Sequence, residues 1–362
     1  MASLSAWRER VAAELDAAVA FWERHSHDPQ HGGFFSCLSR DGTVYDETKY
    51  VWLQGRQVWV YSRLYRKVPR FRRPEILEAA RAGGEFLLRC ARLEPGSPRA
   101  AFALSRDGRP ARLQRTVFSE VFCALGLDEL GRAAGEPRYR AAAREWTAAV
   151  ARWAREAPQE LGRPQLAGAP PHEALAVPMM VLGLAEQLRD GGGDDETLDE
   201  LAAWGAQRLL AHLQRGDSVV LENVSPDGKE LPGSMGRLLN PGTPWGRGGR
   251  PDAWAPAPGS DAASAQLEWS MKLWWPHAEA MVALLAAYAH DRRPERLEAF
   301  QRVADYTFDK FRDPEHGEWF GYLSREGNVA LTIKGGPFKG CFHVARALHM
   351  CEEMLEELLR EG

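Results

Sequence analysis

Asp28-Pro29-Gln30-His31-Gly32-Gly33-Phe34-Phe35-Ser36-Cys37-Leu38-Ser39-Arg40-Asp41-Gly42 is where the chain changes period. Upstream of it Trp7, Val11, Leu15, Val19 and Trp22 recur at spacings of four and three, which predicts an amphipathic helix over Leu4 to Trp22. Within the quoted stretch aromatic strand formers run into an Asp-Gly pair, the mark of a short hairpin. A further helix is predicted after it, carrying Tyr50, Trp52, Gln54, Arg56 and Trp59. The same order of residues returns at a constant offset of 285 as Asp313-Pro314-Glu315-His316-Gly317-Glu318-Trp319-Phe320-Gly321-Tyr322-Leu323-Ser324-Arg325-Glu326-Gly327, again followed by a helix. Lys49 then aligns with Lys334, and Gly55 with Gly340. Weaker echoes are Leu104-Ser105-Arg106-Asp107-Gly108 and Val224-Ser225-Pro226-Asp227-Gly228.

Between these echoes, helical periodicity covers residues 74–92, 116–134, 137–156, 173–190, 195–213, 276–290, 294–312 and 338–360. Pro74, Pro137, Pro276 and Pro294 suit first helical turns. Gly191-Gly192-Gly193-Asp194-Asp195 lacks the Lys and Ser/Thr of a phosphate loop and reads as a helix connection. Paired helices repeating about six times, with the first and last units alike, describe an all-α chain: a closed α/α toroid around a central pocket, with short hairpins between helices, forming a single domain over residues 1–362. The turn residues Asp41, Asp107, Asp227 and Glu326 stand 66, 120 and 99 positions apart. With a unit of about 60 residues, the middle interval holds two units, the unmarked turn falling near Pro164 to Pro171, and the last is about twenty residues short of two. Residues 241–263, rich in Gly, Pro and Ala and without periodicity, lie in that short interval and are expected to be disordered where the pattern asks for a helix pair.

Composition narrows the function. A net charge of −4 with both signs interspersed offers no footprint for nucleic acid or a membrane surface. No apolar run reaches the roughly 20 residues that span a bilayer, and the N-terminus has no apolar signal core. The five cysteines, Cys37, Cys90, Cys123, Cys341 and Cys351, are scattered without zinc-ligand spacing, so a reducing cytoplasm and no structural metal are expected. Thirteen tryptophans supply the kind of aromatic surface that lines carbohydrate sites, although most of them belong in a core.

One stretch carries chemistry: Lys334-Gly335-Gly336-Pro337-Phe338-Lys339-Gly340-Cys341-Phe342-His343-Val344-Ala345-Arg346. His343 and Arg346 lie three apart and share a helix face. A neutral imidazole and a fixed guanidinium in one cavity pair a proton-transfer base with a donor for developing negative charge. Taken alone, such a histidine is more often a core residue.

Three motifs are more specific: Lys49-Tyr50-Val51-Trp52-Leu53-Gln54-Gly55-Arg56-Gln57-Val58-Trp59; Gln266-Leu267-Glu268-Trp269 through Trp274-Trp275-Pro276-His277-Ala278-Glu279-Ala280-Met281; and Lys339-Gly340-Cys341-Phe342-His343-Val344-Ala345-Arg346. Through them the chain resembles the N-acylglucosamine 2-epimerase (renin-binding protein) family over nearly everything outside residues 243–263. The resemblance implies an (α/α)6 barrel, a homodimer and interconversion of N-acetylglucosamine and N-acetylmannosamine, with ATP as an activator and renin as a partner of mammalian members. It places the catalytic set on Arg56, Glu279, His343 and Arg346, and makes Trp52, Gln54, His277 and Lys334 candidates for holding the sugar. No redox cofactor is needed, because ring opening exposes an aldehyde that acidifies the C2 hydrogen. The family has a second catalytic histidine directly after an Asn-Pro-Gly motif, whereas here Asn240-Pro241-Gly242 is followed by Thr243. Two rivals stand beside the epimerase reading: a non-catalytic form that keeps partner or nucleotide binding, and an α/α-toroid glycoside hydrolase, which needs a second carboxylate beside Glu279.

Overall fold

The computed structural model describes residues 3–361 except 163–167, 169, 191–194, 217–218, 234–235 and 237–269. Among the described residues there are ten α-helices: α1 (Leu4–His25), α2 (Val51–Lys67), α3 (Pro74–Cys90), α4 (Phe118–Ala134), α5 (Pro137–Arg155), α6 (Ala176–Arg189), α7 (Glu196–Leu210), α8 (Trp274–Asp291), α9 (Pro294–Lys310) and α10 (Phe342–Glu361). Pro74, Pro137 and Pro294 open α3, α5 and α9, where a first-turn N–H has no intrahelical acceptor to lose. Pro276 lies inside the first turn of α8, which starts two residues earlier than its periodicity predicts. Residues 338–341 precede α10 instead of forming its first turn, because the Gly336 N–H donates to Lys339 O in a tight turn. The Gly/Asp run joins α6 to α7; the expected disorder of 241–263 falls outside the described residues, as does most of the turn near Pro164.

Even-numbered helices form an inner ring and odd-numbered helices an outer one. Packing runs α10, α2, α4, α6 on the inside, with α1, α3, α5 and α7 behind them in turn, and α8 joins α10 on one side and α9 on the other. Burial follows this layering. In α4 every residue from Ser119 to Gly131 is buried, whereas α5 buries one stripe, Tyr139, Ala143, Trp146, Thr147, Val150 and Trp153. Among the described residues α6 and α8 do not pack on one another as the other inner neighbours do.

The closest approach is between α2 and α4. A Cβ on Gly55 would run into the Phe122 carbonyl, and one on Gly126 would lie 2.5 Å from Gly55 O, so both positions need glycine for backbone contact. Gly55→Ala is expected to destabilise the chain by about 3 kcal/mol, because backbone cannot yield as a side-chain tip can. Gly183→Ala, on α6 with nothing near the added methyl, should be neutral or slightly stabilising. Thermal melts of the two variants check this contrast.

Hairpins tie each unit to the next. Strand β1 (Cys37–Leu38) pairs with β2 (Val44–Asp46); β3 (Lys49–Tyr50), just before α2, pairs with β4 (Ala103–Leu104), which pairs with β5 (Pro110–Arg112). The pattern recurs before α6, where β6 (Glu173–Ala174) pairs with β9 (Asn223–Val224) across the β7 (Leu213–Gln214) and β8 (Val219–Val220) hairpin. It recurs before α8, where β10 (Lys272–Leu273) pairs with β11 (Tyr322–Leu323), and β11 with β12 (Val329–Leu331). Glu173 and Ala174, inside the predicted helix 173–190, are strand for this reason. Before α10 the N–H groups of Lys334 and Gly335 donate to Leu38 O at 2.9 and 3.2 Å, and the last unit closes onto the first.

Under each of two hairpins lies the same buried charge cluster. Lys49 Nζ donates to Asp28 Oδ2 at 2.8 Å and to Gly32 O at 2.6 Å, while Arg106 grips Asp28 from the following hairpin. Displaced by 285 residues, Lys334 Nζ meets Asp313 Oδ2 at 2.9 Å and Gly317 O at 2.9 Å, and Arg40 grips Asp313. Burial disfavours both charges in each pair; the cationic partners nevertheless hold Asp28 and Asp313 well below the usual carboxylate range, and burial lowers Lys334 to about 8.

Candidate active site

The first turn of α10 and the second turns of α8 and α2 bring their side chains together. His343 Nδ1 donates to Glu279 Oε1 at 2.8 Å, which leaves its Nε2 as the free lone pair. Arg346, one turn on, donates to the same Glu279 oxygen. Arg56 from α2 completes the group. Its guanidinium carbon lies 4.3 Å from the Trp52 ring, 4.2 Å from Phe122 and 5.0 Å from Phe342, enclosed by aromatic faces that suit a cation. Trp275 and Trp274 flank the imidazole at 6.0 and 6.5 Å between ring centroids.

Burial sets the charge states. Desolvation lowers His343 to about 4, helped by Arg56 and Arg346 and opposed by the hydrogen bond to Glu279, so the ring is neutral at pH 7. Burial works against a charged Glu279, but Arg346 and His343 outweigh it and hold the carboxyl well below its ordinary range. Arg56 is pushed down to about 9 by burial and by Arg346. At neutral pH the cluster therefore carries two cations, one carboxylate and a neutral base, a net positive site ready for an anion. Four buried donors here, Arg56 Nε, Arg346 Nε, Trp52 Nε1 and Trp274 Nε1, have no acceptor. An unsatisfied buried donor costs about 1–3 kcal/mol, and the concentration of several around one imidazole marks a place built for a ligand's oxygens.

Of the candidates read from the sequence, Arg56, Glu279, His343, Arg346 and Trp52 come together here. Three do not. Gln54 is fully buried and spends its amide on Phe34, accepting from N–H and donating to C=O at 2.7 Å each. Lys334 is consumed by Asp313, Gly317 O and Glu318 O beneath the hairpin. His277 bonds Leu273 O through Nδ1 at 2.7 Å and lies against Tyr306 and Phe311, facing the outer helix α9 instead of the pocket. Sequence reasoning misses Phe122, Phe342 and Trp275, whose role as walls is invisible until α4, α10 and α8 are set side by side.

The histidines give a pH dependence to stability. His343 and the buried His349, also lowered to about 4 by burial, stay neutral in the fold but protonate near 6.5 once unfolded. The unfolded state therefore binds more protons as pH falls below 6.5, and stability declines with acid until the folded pKa is passed. The expected loss at pH 5 is roughly 2 kcal/mol for each histidine. Denaturant melts at pH 7.5 and 5 measure it, and His349→Phe should remove about half.

Comparison with known proteins follows the same lines. The family model described as N-acylglucosamine 2-epimerase (GlcNAc 2-epimerase) matches residues 33–173 and 257–347. The N-acylglucosamine 2-epimerases of Bos taurus and Homo sapiens are 55% and 54% identical over 99% of this chain and 93% and 92% of their own lengths. Both alignments run over 394 residues against the 362 of this chain, so at least 32 aligned positions have no counterpart here. Among solved structures, the cellobiose 2-epimerase of Spirochaeta thermophila superposes with a TM-score of 0.78 at 20% identity over 98% of both chains, which shows the shared toroid fold.

Proposed function

The chain belongs to the N-acylglucosamine 2-epimerase family, and on that premise we propose that it is an isomerase acting at C2 of an N-acetylhexosamine, interconverting N-acetylglucosamine and N-acetylmannosamine. One observation carries the reading: a neutral imidazole, hydrogen-bonded to Glu279 through Nδ1 and so left with a free lone pair on Nε2, lies beside two guanidinium groups.

The open-chain aldehyde makes the C2–H bond acidic. His343 Nε2 takes that proton, the electron pair moves into C1=C2, and negative charge collects on the aldehyde oxygen. Arg56 and Arg346 stabilise this enolate, and the unpartnered donors of Trp52 and Trp274 suit the sugar's oxygens. Returning a proton to the opposite face of C2 gives the epimer. Glu279 orients the imidazole and offsets the charge it gains, as a carboxylate does behind a catalytic histidine. A glycoside hydrolase needs a second carboxylate beside Glu279; among the described residues Glu279 is the carboxylate that hydrogen-bonds His343 and Arg346.

A non-catalytic binding form is the second reading, favoured by Thr243 standing where the family has a histidine and by the aligned positions missing from this chain. A coupled assay on the purified 362-residue chain, started from each sugar in turn, separates the two readings: turnover supports the isomerase, and sugar binding without turnover supports the other. Assembly as a homodimer, work in the cytoplasm, and binding of ATP or renin belong to this proposal through kinship with the family.

A further inference from the structure

Among the differences between the two matching junctions of the ring, one pair of facing positions changes from neutral to charged. In the first, Gly32 and Gly33 have φ of +77° and +72°, and a Cβ on Gly33 would meet Gln54 Oε1 at 2.7 Å; the Gln54 amide fills the slot by bonding Phe34 N and O. In the last junction the position matching Gly33, 285 residues on, is Glu318, held at φ +51°, a region that side chains rarely adopt. Opposite it, where Gln54 would recur, stands Lys339. Both are buried. Lys339 Nζ donates to Glu318 Oε1 at 2.9 Å and to Lys334 O at 2.8 Å, and Glu318 also accepts from Trp319 N at 2.8 Å and from the Trp22 indole. One junction is solved by glycine and an amide, the other by a strained glutamate and a lysine.

The second solution occurs at the junction that leads into His343. Lys339 lies four residues before the imidazole; its Nζ sits 5.9 Å from the Trp274 ring that flanks His343, and its bond to Lys334 O together with Gly336 N to Lys339 O fixes the loop entering α10. We propose that the buried Glu318–Lys339 pair positions His343: it replaces the glycine and amide of the first junction with an ion pair that locks the loop and Trp274 against the start of α10. Strain at Glu318 persists only where its surroundings over-determine it, and here they do so next to the base. The inference rests on the proton-transfer role of His343 given above.

The test transplants one junction onto the other. Glu318→Gly and Lys339→Gln each leave a buried charge without its partner, whereas the double variant recreates the Gly33 and Gln54 arrangement, its introduced amide able to bond Trp319 N and O. Proton–carbon NMR of the His343 ring reads its position without turnover, because Trp274, Trp275 and Phe342 impose ring-current shifts on it. Each single variant is expected to lose most of those shifts and to slow C2 proton exchange by about 10²-fold, the scale of an ångström's misplacement, with little change in KM. The double variant should recover the shifts and most of the exchange rate. Unchanged His343 shifts in folded single variants overturn the inference, and so does a double variant that recovers neither signal nor fold. Should the parent chain show no exchange while the NMR pattern follows this course, the proton-transfer reading fails and the positioning stands.

Discussion

His343→Ala is expected to lower C2 proton exchange by at least about 10²–10⁴-fold, the range lost with a positioned acid–base group, while His349→Ala leaves it within about threefold. The two histidines occupy one helix and desolvation keeps both neutral, so the pair controls for helix propensity and charge together. They differ in what they face. His343 is bonded to Glu279 and borders Arg56 and Arg346; His349 Nε2 lacks an acceptor, and the charges acting on it come chiefly from Arg63, Lys67 and Arg70. Deuterium uptake at C2, followed by proton NMR at saturating sugar, measures the difference. Equal losses in the two variants would remove His343 from the chemistry.

The second large effect is stereochemical. Epimerisation needs a proton taken from one face of C2 and one returned to the other, and the family resemblance assigns the opposite face to a histidine after an Asn-Pro-Gly motif, where this chain has Thr243. His277 cannot stand in, since its ring packs on Tyr306 and Phe311 behind α8. His343 still removes the proton from whichever sugar presents it correctly, and reprotonation then comes from the same face. In heavy water one of the two N-acetylhexosamines should gain deuterium at C2 with retained configuration, the other should stay unlabelled, and net epimerisation should lag exchange by about 10²–10⁴-fold. Proton NMR with each epimer separately reads this. Epimerisation as fast as exchange would require a second acid elsewhere, and absence of exchange from both sugars would favour the binding-only form.

Much of this was legible in the residues. The 285-residue echo announced a closed ring, and spacing placed all ten helices with ends off by a few residues, because caps and strand pairings decide ends while periodicity does not. That His343, Arg346, Glu279 and Arg56 lie together was legible as well. Gln54 and Lys334 were misassigned for a reason the repeat itself contains. A packing residue recurs in unit after unit, as Lys49 and Lys334 do, whereas a catalytic group occurs once: the positions 285 before His343 and Arg346 are Val58 and Tyr61. His277 escaped because a polar residue on an inner helix can turn toward the outer layer, and only the position of α9 settles which. The backbone contact of Gly55 with α4 was equally out of reach, since it depends on where another helix passes.

Closure of the ring through α1 and α10 has a consequence for the protein's birth. The helix that packs along α1 is α10, made after the other nine described, and at about 5–20 residues per second it follows α1 by roughly a quarter of a minute to a minute. Throughout that interval the first helix has an apolar stripe and no permanent neighbour. The proposed proton-transfer centre is delayed equally, because His343 and Arg346 arrive with the 20-residue helix α10. A nascent chain stalled before α10 is therefore inert and adhesive at once, a natural client for chaperones. A premature stop in that last helix removes the function and exposes the beginning of the chain.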